Sequence, residues 1–193
     1  MRDQPGPTDL GRPRERDIPA ADWLAVSLAP SVAERMQLGR TSRAKALADI
    51  EAEYKAAMGI SPKETSGLLV GPDGDGVRVD LNGLAHAMLN RTDERERYLP
   101  LFRQTIEDPY ELLLSLYGPT DPTAGAPKYR RKAVGLYRTD DRGALVVTAE
   151  PTPEGWMLWN VLPARQGTID RLRRGQVVLS TREARAAEGS QGG

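Results

Sequence analysis

Cysteine is absent from the 193 residues, and there is a single histidine. The first absence excludes disulfides, zinc–thiolate sites and cysteine nucleophiles. Together the two leave too few ligands for an ordinary transition-metal site, so no metal and no cofactor are expected. Net charge is also lacking: 27 Lys/Arg offset 27 Asp/Glu, and bulk charge alone points to no polyanionic partner. No apolar run approaches the roughly 20 residues of a membrane-spanning helix. Met1-Arg2-Asp3-Gln4-Pro5-Gly6-Pro7 has no apolar core of a secretory signal. A soluble cytoplasmic protein without a membrane partner is expected.

The charge that is present is unevenly placed. Residues 128–185 hold twelve Lys/Arg and six Asp/Glu, whereas residues 1–127 hold fifteen and twenty. A basic C-terminal half suits an anionic ligand; ordinary solvated faces would give the same count.

Residues 1–18 are rich in Pro, Gly, Arg and Asp and read as a disordered arm, with too little apolar surface to offset ordering entropy. A helical region follows over 19–60. Two short pieces are split at Pro30, and a clear helix runs from Thr41 to Met58. Thr41 or Ser42 caps it, Leu47, Ile50, Tyr54 and Met58 form its apolar face, and Gly59 ends it. Residues 67–70 and 77–79 flank Gly71-Pro72-Asp73-Gly74-Asp75-Gly76 as a hairpin. This turn lacks the distal Glu and flanking helices of a calcium loop, and the Gly-Lys-Ser/Thr ending of a phosphate loop.

A short helix is expected from Gly83 to Asn90, capped by Asn82 and carrying His86, and a second from Leu99-Pro100 to Glu107. Strands are expected at Tyr110–Tyr117, Lys128–Arg138, Ala144–Ala149, Trp156–Leu162 and Gln176–Ser180. Gly118–Pro127, Asp140-Asp141-Arg142-Gly143 and residues 151–155 serve as links. Thr168 is a candidate cap for a late helix that Gly175 ends, and residues 181–193 read as a flexible tail. Helices followed by a mainly antiparallel sheet make an α+β fold.

This inventory can support RNA cleavage without a metal. Such cleavage needs a base for the 2′-OH, an acid for the leaving 5′-oxygen, and cations for the phosphate. His86 suits acid/base work because its reference pKa lies near 6.5. Lys128, Arg130, Arg131 and Lys132 cluster around Tyr129, and arginine matches phosphate oxygens bidentately. On a strand, Tyr129, Arg131 and Ala133 share one face, and Lys128, Arg130 and Lys132 the other. Arg171, Arg173 and Arg174 form a second group, and Arg91, Arg95 and Arg97 follow His86. Each feature has a plainer use. A lone histidine can cap or pack, a basic strand can guard a sheet edge, and arginines favour a helix C-terminus. Trp156 and Trp159 read as core.

In order, His86, Arg97-Tyr98-Leu99-Pro100, Asp108-Pro109-Tyr110-Glu111-Leu112, Tyr129-Arg130-Arg131 and Leu172-Arg173-Arg174-Gly175 resemble the second phage subgroup of the Barnase–EndoU–colicin E5/D–RelE nucleases. The resemblance covers about residues 67–180 and implies a nuclease-like α+β domain at 61–180 with an antiparallel sheet. It implies a metal-independent endoribonuclease, phage- or mobile-element-associated and in some relatives toxin-like. Its alternative is a non-catalytic RNA-binding or virion-associated module of the same fold. The implied catalytic residues are His86 as acid/base, Arg131 at the phosphate and Tyr129 positioning substrate. Lys128, Arg130, Lys132, Arg97, Thr168 and Arg171 would bind substrate. RNA is the implied partner, with a phage-head or immunity-type protein as a second, in the cytoplasm or a virion.

Overall fold

The computed structural model describes residues 2–3, 13–85, 93–118, 128–139, 142–165 and 167–180. Several expectations lie outside these: His86 and its helix as far as Asn90, Arg91, arm residues 4–12, the link at 119–127, Asp140-Asp141 and the tail at 181–193.

Two helices precede the sheet. Helix α1 (Val32–Gly39) opens with a capping box. The Ser31 side chain accepts from the Glu34 N–H at 3.3 Å, and the Glu34 carboxylate accepts from the Ser31 N–H at 2.7 Å. The buried Glu96 carboxylate also accepts from the Val32 N–H at 3.0 Å. Helix α2 (Arg43–Met58) is capped by Ser42 and ends at Gly59, whose φ of 67° is the left-handed conformation glycine tolerates. The Ile60 N–H closes back on the Lys55 carbonyl at 2.8 Å. The buried stripe is Ala46, Ile50, Tyr54 and Met58, a strict i, i+4 repeat; Leu47 sits at its margin. Of the two pieces expected before Thr41, only α1 is an α-helix. Residues Ala20–Asp22 form one 3-10 turn, and Leu24–Ala25 form a strand, β2.

Nine strands among the described residues make one sheet. Besides β2 they are β1 (Arg2–Asp3), β3 (Ser66–Val70), β4 (Gly76–Asp80), β5 (Glu111–Gly118), β6 (Lys128–Arg138), β7 (Arg142–Thr152), β8 (Gly155–Arg165) and β9 (Gln176–Ser180). The order is β1-β5-β6-β7-β8-β4-β3, with β9 also on β5 and β2 on β6. The β5-β6-β7-β8 ribbon is antiparallel, while the β4–β8 and β2–β6 pairings are parallel. Strands β7 and β8 run past their expected ends because a two-residue turn at Pro153-Glu154 lets pairing continue to Thr152–Gly155.

Helix α3 (Leu81–Leu84) starts directly after β4. Its cap is Asp80, which accepts from the Gly83 N–H at 2.6 Å, where Asn82 was expected. The expected helix at 99–107 divides into a 3-10 segment, Arg95–Leu101, and α4 (Phe102–Glu107). Helix α5 is the short Ile169–Leu172. Thr168 does not cap it with its side chain; the hydroxyl donates to the Arg165 carbonyl at 2.7 Å.

Period-two alternation along β6 divides the core into two layers. Ala133 and Tyr137 face Ile50, Tyr54, Met58, Phe102, Ile106 and the inner face of the β3–β4 hairpin. Val134 and Leu136 face Ile18, Trp23, Tyr110 and Ile169. Residues 13–18, read from composition as part of an arm, therefore pack on the sheet. Ile18 is buried, and the buried Glu15 carboxylate accepts from the Gly167 N–H at 2.8 Å. The first layer also draws on residues either side of position 60, so α2 and the strands share one core. Trp159 is 39% exposed rather than buried, and it sits where the β7–β8 register shifts between Thr148↔Asn160 and Ala149↔Leu158.

Gly135 is required by packing. The Tyr137 side chain folds back over it, and a Cβ at 135 would lie 2.5 Å from the ring. The Tyr137 hydroxyl is held by Thr105 Oγ1 at 2.7 Å and cannot swing away cheaply. Gly135→Ala is expected to destabilise the fold by about 1–3 kcal/mol, the usual cost of overpacking, read as a lower urea midpoint.

Candidate functional site

The basic run of β6 is split between the two sheet faces. Arg130 and Lys132 lie on the face away from α2 and α4, in line with Val134; Arg131 lies on the helix face, in line with Ala133.

On the first face, the Arg130 Nε donates to Glu150 Oε1 at 2.7 Å, and its Nη2 meets the same oxygen. The guanidinium lies 3.5 Å from the centre of the Tyr117 ring, within range of a cation–π contact. Ser115 is opposite Arg130 on β5, its hydroxyl buried without a hydrogen-bond partner among the described residues. Lys132 is buried, and its Nζ donates to the Arg174 carbonyl at 3.2 Å and reaches that of Leu172 at 3.5 Å. It thus meets the carbonyl end of α5. Exposed Lys128 stands at the open end of the same face. A carboxylate, a guanidinium, an ammonium, a hydroxyl and an aromatic ring therefore converge where the second core layer stops.

On the helix face, Arg131 is 4% exposed and answers to the β3–β4 turn. Its Nη2 donates to Asp73 Oδ1 at 2.6 Å, and Nη1 lies 3.4 Å from Asp75 Oδ2. The Trp156 indole N–H holds Asp75 Oδ2 from the other side at 3.1 Å. Gly71 passes so close that a Cβ there would lie 2.1 Å from Arg131 Nη2. Tyr129, on this face, is 57% exposed. The two faces thus separate Arg131 and Tyr129 from Arg130 and Lys132.

The remaining candidates lie apart. Arg97 is on the 3-10 segment, its Nε 3.4 Å from the Ala29 carbonyl and its Nη1 3.5 Å from Glu94. Thr168 is engaged by Arg165, and Arg171 is exposed on α5. His86 lies outside the described residues. The described chain on either side of it is anchored at β8. Gly83 packs against the Leu158 carbonyl, and Arg95 Nη1 donates to Asn160 Oδ1 at 2.7 Å and to the Val161 carbonyl at 2.6 Å.

Glu150, Tyr117 and Ser115 went unnoticed in the sequence. The expected third strand stopped at Ala149. Continued by one residue, the β6–β7 register that pairs Arg131 with Ala149 brings Glu150 beside Arg130.

Burial sorts the tyrosines. Desolvation pushes Tyr137 up to about 12, with the Thr105 hydrogen bond opposing it, and raises Tyr54 further still. Both phenols are more acidic in the unfolded chain, where the reference value is near 10. Stability should therefore hold below pH 10 and fall as pH rises through about 12. Absorbance at 295 nm should show Tyr137 and Tyr54 ionising above the ordinary phenol range.

Among known proteins, a family model described as phage-Barnase-EndoU-ColicinE5/D-RelE like nuclease 2 matches residues 52–180. No curated protein and no solved structure matches the chain. The matched span takes in both faces of β6, Glu150 and the end of α2.

Proposed function

The chain belongs to the phage-Barnase-EndoU-ColicinE5/D-RelE like nuclease 2 family, and from that premise we propose that it is an endoribonuclease that needs no metal ion. The observation that carries this is the Arg130–Glu150 pair beside Tyr117 at the open end of the sheet. Arg130 exchanges its carboxylate partner for a substrate phosphate, with Lys132 as a second cation behind it. Freed of Arg130, Glu150 takes the 2′-OH proton. The 2′-oxygen then attacks phosphorus, and the 5′-oxygen leaves as an alcohol after accepting a proton from His86. The products are a 2′,3′-cyclic phosphate and a 5′-hydroxyl. Tyr117 stacks on a base, and Tyr129 offers a further stacking surface. Arg131, held by Asp73, braces the strand from behind. Lys128, Arg97, Arg171 and Thr168 contribute to substrate binding at a greater distance.

A DNA oligonucleotide carrying one ribonucleotide tests the chemistry. Cleavage only on the 3′ side of that ribose is the expected result. Cleavage elsewhere in the DNA would exclude 2′-OH attack.

A non-catalytic RNA-binding or virion-associated module is the competing reading. It is favoured by the fact that Arg130 and Lys132 already have partners within the fold. It predicts RNA affinity that falls steeply with salt and no product. A cytoplasmic toxin-like setting, with an immunity-type or phage-head protein as partner, belongs to the same proposal. Recovery of one such protein bound to the chain in cells would test it.

A further inference from the structure

A second cationic site lies at the opposite end of β6. A cavity of about 590 Å³ opens between the segment after β2 and the 3-10 segment, lined by Val26, Ser27, Leu28, Arg97, Arg138 and Thr139. Its volume falls in the range of small-ligand sites. Among the described residues, two guanidiniums and no carboxylate line it. Val26 and Leu28 also pack on the core, which gives it an apolar floor. The backbone is fixed on both sides: Val26 N–H donates to the Arg138 carbonyl at 3.1 Å and Ala29 N–H to that of Arg97 at 2.8 Å.

The two arginines differ in how far their charge is committed. Arg97 has only long contacts, 3.4 Å to the Ala29 carbonyl, 3.5 Å to Glu94 and 4.0 Å to Glu34. Arg138 is exposed, and among the described residues its guanidinium makes no hydrogen bond or ion pair. A strand end that sets an exposed arginine, without an ion-pair partner among the described residues, beside a second arginine suits an anion.

We infer that this cavity holds distal phosphates of the RNA strand whose scissile phosphate lies at Arg130, which rests on the ribonuclease reading above. Arg130 and Arg138 share a face of β6, eight residues apart, a separation of roughly 26 Å at the rise of a strand. That corresponds to about eight nucleotides at 3.4 Å per nucleotide of a stacked strand. Between the two, Val134 and Leu136 are covered by Ile18 and Trp23, while the cavity floor of Val26 and Leu28 belongs to the first core layer, so the RNA crosses the outside of that segment, rounds the β2 end of the sheet and is held at two places. The site therefore selects for length: an oligonucleotide too short to reach Arg138 gains nothing from it.

The test uses the full chain and fluorescent, cleavage-resistant 2′-O-methyl RNA, a tetramer and a dodecamer, with affinity read by anisotropy at several salt concentrations. Arg138→Ala should weaken dodecamer binding about tenfold. The lost phosphate contact should flatten the salt dependence of log K by about 0.7. Tetramer binding should be unchanged, and Arg138→Lys should restore most of the dodecamer affinity. Equal dodecamer binding by wild type and Arg138→Ala, with Arg130→Ala weakened, would overturn this inference and leave the ribonuclease reading standing. An equal loss for tetramer and dodecamer would also overturn it. No binding of either RNA by wild type would remove both.

Discussion

Arg173→Ala is expected to cost about 3–5 kcal/mol of stability, the usual result of breaking a buried ion pair from one side. Arg173 and Glu111 are each 3% exposed. Arg173 Nε donates to Glu111 Oε2 at 2.7 Å, and Nη2 makes a second bond to Oε1. Its Nη1 donates to the Pro13 carbonyl at 3.1 Å, and Asp170 lies 3.6 Å away. Burial is the strongest single influence and works against the charged form, yet the Glu111 hydrogen bonds together with the nearby charges of Glu111, Tyr110 and Asp170 leave the guanidinium pKa above its ordinary value. One side chain thus ties the N-terminal segment and the end of α5 to β5. Removing it takes the bidentate partner from a carboxylate buried in the second core layer. Glu111→Ala should cost a similar amount by removing the buried cation's bidentate partner. The double variant Glu111→Leu/Arg173→Met should cost less than the sum of the two alanine changes, because neither charge is then left alone. Urea melts of the four proteins give the coupling directly. If the effects add, the two residues do not act as a pair.

The second large effect is on chemistry. Arg130→Ala should lower kcat/KM for RNA by about 10²–10³-fold, the usual loss when a charge-stabilising donor is removed. Glu150→Gln should lower it by about 10²–10⁴-fold, as expected for a general base. The two side chains act as a unit, so the double variant should be little worse than the poorer single one. Their side chains are only partly buried, 14% and 22% exposed, so near-native melting should accompany the lost activity. Arg131→Ala should behave differently. It unpins the β3–β4 turn by leaving Asp73 and Asp75 without their cation, so its loss should appear first in stability. An Arg131→Ala enzyme that melts normally but is inactive would return Arg131 to the phosphate.

Those contrasts follow from what the sequence could and could not disclose. Strand periodicity and turn residues marked β6 and β9 to the residue, and Thr41 or Ser42, of which Ser42 is the cap, and Gly59 marked the ends of α2. The alternation of Lys128, Arg130 and Lys132 against Tyr129 and Arg131 was also readable, because it depends only on the pleat. What each face meets was not. That Arg131 would find Asp73 depends on the parallel β4–β8 pairing, which swings a turn 58 residues away over β6. Local signals carry no trace of it. Pro, Gly and charge made residues 13–18 look unable to fold, yet they need only Ile18 and Glu15 to dock on surface the sheet already provides. Thr168 looked like a cap by residue type, but its hydroxyl is used by Arg165. Glu150 was hidden because Pro151-Thr152-Pro153 resembles a strand end, while Pro151 and Thr152 still pair with β8.

The most direct test of the account is to incubate wild type, Arg130→Ala and His86→Ala with mixed RNA in EDTA and to identify the ends of the products. The account predicts fragments ending in 2′,3′-cyclic phosphate from wild type, and a loss of at least about 10²-fold in their rate of formation for both variants. Undiminished cleavage by Arg130→Ala, or intact RNA with wild type, would contradict it.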